Sequence, residues 1–279
     1  MVKDSVVTGH TTYFQIKKAT SSSTSATGYN YVRAGSYDLT VDLSTNVYFD
    51  NIKQINGEDT GIADFRYYGV MATNFVKNLE FTNCCINRFD AHQGVWNATI
   101  KDSTIGHTIN VIGGGEFYLE NVTKITGQNF IELRKDYGGT FEGNITIKNC
   151  THNAYEVYYS YRGESFSETR CSNAYVINTG YSKNEEVYWL WNFGYTCYMP
   201  KSITFIGEFV TYSKNVYIYA IDYHDYYTSF VPSQDEGYVP YKLTNAIIYK
   251  GWNGDKLNIC KTASPDENYM YNYIDVYEE

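Results

Sequence analysis

The middle of the chain carries a set of charged and histidine side chains whose types could do chemistry. They are Asp64, Arg66, Arg88, Asp90, His92, His107, Arg134 and Asp136. Carboxylate and imidazole groups exchange protons, and guanidinium groups bind anions. If these residues converge on one face, the candidate catalytic residues are Asp90, His92 and Asp136. The candidate substrate-binding residues are Arg66, Arg88, His107 and Arg134.

The same charges also have a purely structural interpretation. An Arg and an Asp two residues apart, as in Arg88-x-Asp90, can form ion pairs on stacked strands and so fix the register between them. The sequence leaves both interpretations open, because they differ only in whether the face is open to a ligand.

A second candidate site is aromatic. Residues 187–200 form the densest aromatic segment of a chain that contains 31 tyrosines. Within this segment, Trp191 and Tyr195 are candidate substrate-binding residues, because exposed rings on a rigid β surface commonly mark binding sites. The alternative is that the segment packs in the core or at a subunit contact.

A short repeated phrase predicts the elements that position these residues. Each copy alternates apolar with polar residues and closes on Asn or Asp. Leu79, Ala98 and Phe117 take the same place in successive copies, 19 residues apart (98 − 79 and 117 − 98), and Ile145 follows after 28 (145 − 117). A strand-sized phrase at a period of about 20 residues indicates a solenoid of short strands. We therefore predict an all-β fold, a right-handed parallel β-helix with irregular loops and capped ends.

The period also predicts the core and the corners of the solenoid. One inward ladder contains Leu79, Ala98, Phe117 and Ile145, and the next contains Phe81, Ile100, Leu119 and Ile147. The closing residues are Asn83, Asp102, Asn121 and Asn149. They should turn the corners, because Asn and Asp tolerate left-handed backbone angles.

The composition of the chain argues against several classes of partner and cofactor. The formal charge is −9, with 22 Lys and Arg against 31 Asp and Glu, which argues against nucleic acid as a partner. No apolar run is long enough for membrane insertion. Six cysteines without metal-type spacing suggest no metal site, and we expect no cofactor. We predict one domain over residues 1–279, either as a whole protein or as a fragment of a longer chain, with a separate sub-structure over residues 238–279 as the alternative.

Three segments carry a resemblance to a known family. Residues 88–105, 132–149 and 192–200 resemble segments of phage tail spike and appendage proteins of the pectate-lyase-like β-helix superfamily. The resemblance implies a virion tail or extracellular surface location, a homotrimer, and a bacterial surface glycan as partner. It also implies that the chain binds the glycan and could depolymerise it as a polysaccharide lyase or glycan hydrolase. A non-catalytic structural or adhesive solenoid is the alternative.

Overall fold

The computed structural model describes residues 2–8, 37–42, 46–55, 69–133, 141–160, 163–178, 197–198, 200–221, 241–242, 246–259, 261–262 and 274–279. Throughout these ranges the long elements are all β-strands, and neighbouring strands pair almost entirely in parallel. The chain thus folds as the all-β parallel β-helix that the sequence predicts. None of the described residues forms a helix that could cross a membrane.

The strands follow one another with few long breaks. They are β1 (Val2–Thr8), β2 (Tyr37–Asp42), β3 (Asn46–Ile55), β4 (Gly69–Thr82), β5 (Cys85–Lys101), β6 (Thr104–Glu120), β7 (Thr123–Thr126), β8 (Asn129–Leu133), β9 (Phe141–Ser160), β10 (Gly163–Arg170), β11 (Asn173–Asn178), β12 (Cys197–Tyr198), β13 (Ser202–Thr211), β14 (Asn215–Ile221), β15 (Tyr241–Lys242), β16 (Ala246–Lys250), β17 (Lys261–Thr262) and β18 (Asp275–Glu278). The longest of them bend around corners, so one strand contributes segments to more than one row of the stack.

Equivalent strand segments of successive coils stack on one another in rows, and each coil contributes to three rows. The repeated phrase forms the last of them in each coil, which we call the third row. Residues 78–82, 97–101, 116–120 and 144–148 pair in register, and β13, β16 and β18 extend the row. Phe117 pairs directly with Ile145, so the 28-residue step between them is one period plus an insertion. All eight residues of the two predicted ladders are buried. Their alternation with polar residues therefore reports which side chains face the core.

The predicted corner residues adopt left-handed backbone angles. Asn83, Asp102, Asn121 and Asn149 have φ between 46° and 54°. The corners are also linked to one another, since Asn121 Nδ2 donates to Asp102 Oδ1 at 2.7 Å. Residues that tolerate this conformation and bond across coils hold each turn in the same place.

Two more rows follow each corner and position the candidate site. The first row stacks residues 85–86, 104–105, 123–124 and 151–152. The second row stacks residues 88–91 on 108–111, and then places Glu132 and Leu133 opposite Asn110 and Val111. Strand β11 adds to the second row, with Ile177 opposite Ile131.

Insertions leave the stack at the corners and return to it in register. After the first row, β9 and β10 form an antiparallel hairpin, with Gly163 opposite Ser160. The chain then restores the second row through β11. Beyond residue 238, β16 and β18 stack on β13 in the third row.

Candidate functional site

Arg88 and Asp90 form an ion pair on the second row. Arg88 Nη2 lies 3.2 Å from Asp90 Oδ2, and the Asp90 side chain is only 3% exposed. With its amide oriented to suit both neighbours, Asn110 accepts a hydrogen bond from Arg88 Nη2 at 3.0 Å and donates one to Glu132 Oε2 at 3.1 Å. The polar contacts thus run across three coils. The ion pair itself lies within one strand, β5, and is not an ion pair between stacked strands, so the structural and the catalytic interpretations of Asp90 both stay predictions.

His107 does not stack on Arg88 as the 19-residue spacing suggests. Ile86 pairs with Ile105, but Arg88 pairs with Thr108, so the later coil contains one additional residue at this corner. The extra residue shifts His107 out of the position opposite Arg88. The His107 ring instead contacts the Thr108 hydroxyl through Nδ1 and lines a neighbouring pocket. Its predicted alignment was therefore wrong by one residue, and its role in substrate binding stays a prediction.

The other predicted site residues are only partly described or lie outside the described ranges. His92 belongs to β5, at a place where the pairing with β6 shifts between Ala91 and Val95, and only its backbone is described. The residues outside the described ranges are Arg66, Arg134, Asp136, Trp191 and Tyr195. The roles predicted for all six stay predictions.

Lys124 occupies a core position of the first row. Ile86 pairs with Ile105 and Ile105 pairs with Lys124, and both isoleucines are fully buried. The lysine is itself only 3% exposed, and its Nζ donates to the Asn129 carbonyl oxygen. Burial lowers the pKa of the amine from 10.5 to about 7, although nearby Glu132 and Cys171 act in the opposite direction. Near neutral pH both the charged and the uncharged amine are therefore populated.

His152 follows Lys124 in the same column of the first row. Its ring is fully buried, and Nε2 lies 2.8 Å from the Gly127 carbonyl oxygen. A carbonyl only accepts, so Nε2 carries the proton and Nδ1 is the unprotonated nitrogen. Nδ1 has no hydrogen-bond partner among the described residues. Burial, reinforced by the charge of Lys124, holds the pKa of His152 well below its usual range, so the ring is neutral.

These groups border a pocket of about 520 Å³, which we call the lysine pocket. It opens where the first row turns into the second, and its polar lining consists mainly of His107, Lys124, Glu132, Glu156 and Cys171. Burial, with Lys124 and Arg88 nearby, lowers the pKa of His107 to about 3. At neutral pH the pocket thus combines a neutral imidazole, a titrating amine and two carboxyl groups.

No protein-family model, no curated protein and no solved structure matches this chain. An amine with a pKa near 7 is suited to accept or donate a proton at neutral pH. No three His, Cys, Asp or Glu side chains in the described ranges are arranged to hold a metal ion.

Sequence reasoning missed Lys124, Glu132 and His152, although the spacing contained a signal for the first of them. Lys124 comes 19 residues after Ile105 (124 − 105), which in turn comes 19 after Ile86 (105 − 86). A lysine in the same spacing as two isoleucines contradicts the pattern of an apolar core. Such a contradiction is the local sign of a functional site.

Proposed function

We propose that this chain binds a bacterial surface glycan through the lysine pocket, in the manner of β-helical phage tail spikes and appendages, and that it cleaves the glycan there. The observation that carries the proposal is Lys124, a buried amine in a column where the two preceding coils have isoleucine. Its lowered pKa corresponds to a cost of about 5 kcal/mol for the charged form, since one pH unit is worth about 1.4 kcal/mol. Packing alone does not require that cost.

The pocket provides the groups that glycan cleavage needs. The uncharged Lys124 amine can take a proton from the sugar as a general base. The Glu132 and Glu156 carboxylates line the same pocket and can accept hydrogen bonds from sugar hydroxyl groups. For a uronic acid, transfer of the ring proton beside the carboxylate to Nζ leads to elimination. The bond between the sugar carbon and the glycosidic oxygen then breaks, the sugar gains a carbon–carbon double bond, and the leaving oxygen takes a proton back from the Lys124 ammonium group.

A non-catalytic structural or adhesive solenoid is the second candidate. It is favoured by the Arg88–Asp90 ion pair, whose charged groups lie 3.2 Å apart and so already neutralise each other. The pair lies within β5, and Asn110 extends its polar contacts to Glu132 in the coil beyond, so the network links three stacked coils. On this alternative the lysine pocket binds without turnover.

Cell envelopes from candidate host bacteria separate the two functions. The assay measures reducing ends, unsaturated sugars and released glycerophosphate, so that it distinguishes hydrolysis from elimination and from attack on teichoic acid. We expect Lys124→Met to lower the cleavage rate by about 100-fold or more. Lys214→Met, which replaces an exposed lysine on the turn before β14, is the matched control and should cleave normally. Full cleavage by Lys124→Met would refute the proposed role.

The proposal includes the assembly and location that the resemblance implies. The chain is then a homotrimer on a virion tail or an extracellular surface, where a glycan is the partner. Light scattering tests the assembly, because a particle of 32.1 kDa at micromolar concentration is a monomer and contradicts the trimer.

A further inference from the structure

A second depression borders the third row and shares no lining residue with the lysine pocket. It has a volume of about 470 Å³ and we call it the tryptophan groove. Its principal lining residues are Val76, Lys77, Trp96, Gly114, Glu142 and Lys201. It lies where the second row turns into the third, because Val95 pairs with both Val76 and Gly113.

Trp96 presents an aromatic face to solvent in this groove. Its side chain is 60% exposed, the highest value among the large hydrophobic residues described. The benzene part of the indole lies over Gly114: a Cβ at that glycine would be 3.5 Å from Cζ3 and 3.7 Å from Cε3. One edge of the ring is thus supported by the backbone, while much of the ring remains in contact with water. A supported, exposed indole is a preorganised platform for an apolar surface.

Glycines let neighbouring coils approach each other closely in and beside the groove, of which Gly113 and Gly114 are lining residues. A Cβ on Gly113 would lie 1.9 Å from the Val95 carbonyl oxygen, and one on Gly115 would lie 1.9 Å from the Trp96 carbonyl oxygen. In the next coil, a Cβ on Gly143 would lie 2.1 Å from the Gly115 carbonyl oxygen. These contacts are far shorter than a side chain tolerates, so three coils approach closely here only because the residues are glycines.

The rim of the groove carries a local positive charge in an otherwise acidic protein. Lys201 Nζ lies 3.4 Å from Glu142 Oε1, so these two charges offset each other. Lys77 also lines the groove, its side chain is exposed, and no carboxylate of the described residues forms an ion pair with it. The groove therefore carries a formal charge of one positive unit, against −9 for the whole chain. The positive charge at the rim attracts an anionic ligand, although the net negative charge of the whole chain repels it.

We propose that the tryptophan groove is a second glycan subsite that binds an acidic pyranose, with the sugar ring stacked on Trp96 and its negative group near Lys77 and Lys201. A sugar presents carbon-bound hydrogens on one side and hydroxyl groups at its edge. The indole can pack against the carbon-bound hydrogens. Lys77, Glu142 and Lys201 can form hydrogen bonds with the hydroxyl groups. This inference rests on the proposed glycan-binding function and adds a place and a charge for one unit of the ligand.

Calorimetric titration of the full chain with galacturonate hexamers tests the subsite, with neutral galactose hexamers as the uncharged comparison. We expect Trp96→Ala to weaken binding of the acidic hexamer by about tenfold or more, because the stacking surface is removed. Trp96→Phe keeps a ring and should lose less. Lys77→Met should weaken binding of the acidic hexamer several-fold and reduce its salt dependence, while Lys214→Met should not.

The outcomes distinguish this subsite from the proposed function as a whole. Unchanged affinity in Trp96→Ala overturns the subsite, even if Lys124→Met abolishes cleavage and the proposed function stands. Equal binding of the neutral and acidic hexamers overturns the assigned charge. If Trp96→Ala changes the particle mass in light scattering and leaves glycan binding intact, the groove is a contact between copies of this chain. Binding of neither hexamer by the unaltered chain also overturns the subsite, and cleavage of envelopes then decides the proposed function separately.

Discussion

Replacing Lys124 by Met should remove a pH dependence from the stability of the fold. Methionine has a similar length and no charge, so it suits a column that already holds two isoleucines. In the native chain the buried amine has a pKa of about 7, whereas in the unfolded chain it returns to its ordinary value of 10.5. Between these two values the unfolded chain holds a proton that the folded chain lacks. The free energy of unfolding must therefore rise with pH in this range.

The expected size of the effect follows from the two pKa values. Above pH 7 the Lys124 contribution grows by about 1.4 kcal/mol per pH unit, which gives about 2 kcal/mol between pH 6 and pH 8.5. The series ends at pH 8.5 so that ionisation of the cysteine thiols does not contribute to the change in stability. Burial raises the pKa of Cys84 to about 11 and that of Cys150 to about 12 in the folded chain. Their effect on stability has the opposite sign and begins as the thiols of the unfolded chain ionise.

Urea denaturation at pH 6, 7, 8 and 8.5 provides the measurement. The stability of Lys124→Met minus that of the unaltered chain should fall by about 2 kcal/mol across the series. The subtraction cancels every group that titrates alike in both proteins, and Lys214→Met should give a flat difference. If the stabilities of Lys124→Met and of the unaltered chain change with pH in parallel, the Lys124 amine is hydrated in the folded protein. The lysine pocket would then have no buried amine to act in catalysis.

Four further substitutions test other parts of the structure. Because the pKa of His107 is lowered in the folded chain, only the unfolded chain gains a proton at this residue just below pH 6.5, and this destabilises the fold in acid. His107→Gln should therefore remove about 2 kcal/mol of the stability loss between pH 6 and pH 4.5. An equal shift of the urea midpoint with pH in the variant and in the unaltered chain would contradict this. Asn121→Ala should destabilise by about 1–2 kcal/mol because φ is 53°, and thermal melting should show a smaller loss in Asn121→Gly. Leu119→Ala, in a fully buried ladder, should cost about 2–5 kcal/mol in chemical denaturation, and an unchanged midpoint would place this side chain outside the core. Asp90→Asn should cost about 1–3 kcal/mol and leave cleavage by the folded protein intact, since it weakens the contact with Arg88; lost cleavage at unchanged stability would instead favour the catalytic role.

The rows of the solenoid could be predicted because one simple rule governs them. Side chains alternate across a strand, so Leu79 and Phe81 face the core together and their equivalents recur with the coil. The corner at Asn83 adds a second signal, since few residues accept a positive φ. Pattern and backbone chemistry point to the same fold, and both are readable along the chain.

The candidate site could not be predicted to the same extent, because it depends on departures from that rule. A single extra residue between Ile105 and Thr108 moves His107 out of alignment, and nothing in the composition marks such a bulge. Trp96 resembles a core aromatic in sequence, and only the turn around it shows that the ring is exposed. The spacing places Lys124 in the same column as Ile86 and Ile105. It was missed because lysine side chains are usually exposed, so an inward lysine is not expected.

The tolerance of the stack for insertions has a consequence for how this protein can change. Ile145 pairs directly with Ile203 although 58 residues separate them (203 − 145), and the chain between them includes an antiparallel hairpin. Each coil is aligned by its own apolar ladder and corner residue, so a detour needs only to return to the right place. The entropic cost of closing a longer detour grows slowly with its length. New recognition loops can therefore be exchanged at the corners during evolution, or grafted there by design, while the scaffold that presents them stays in register.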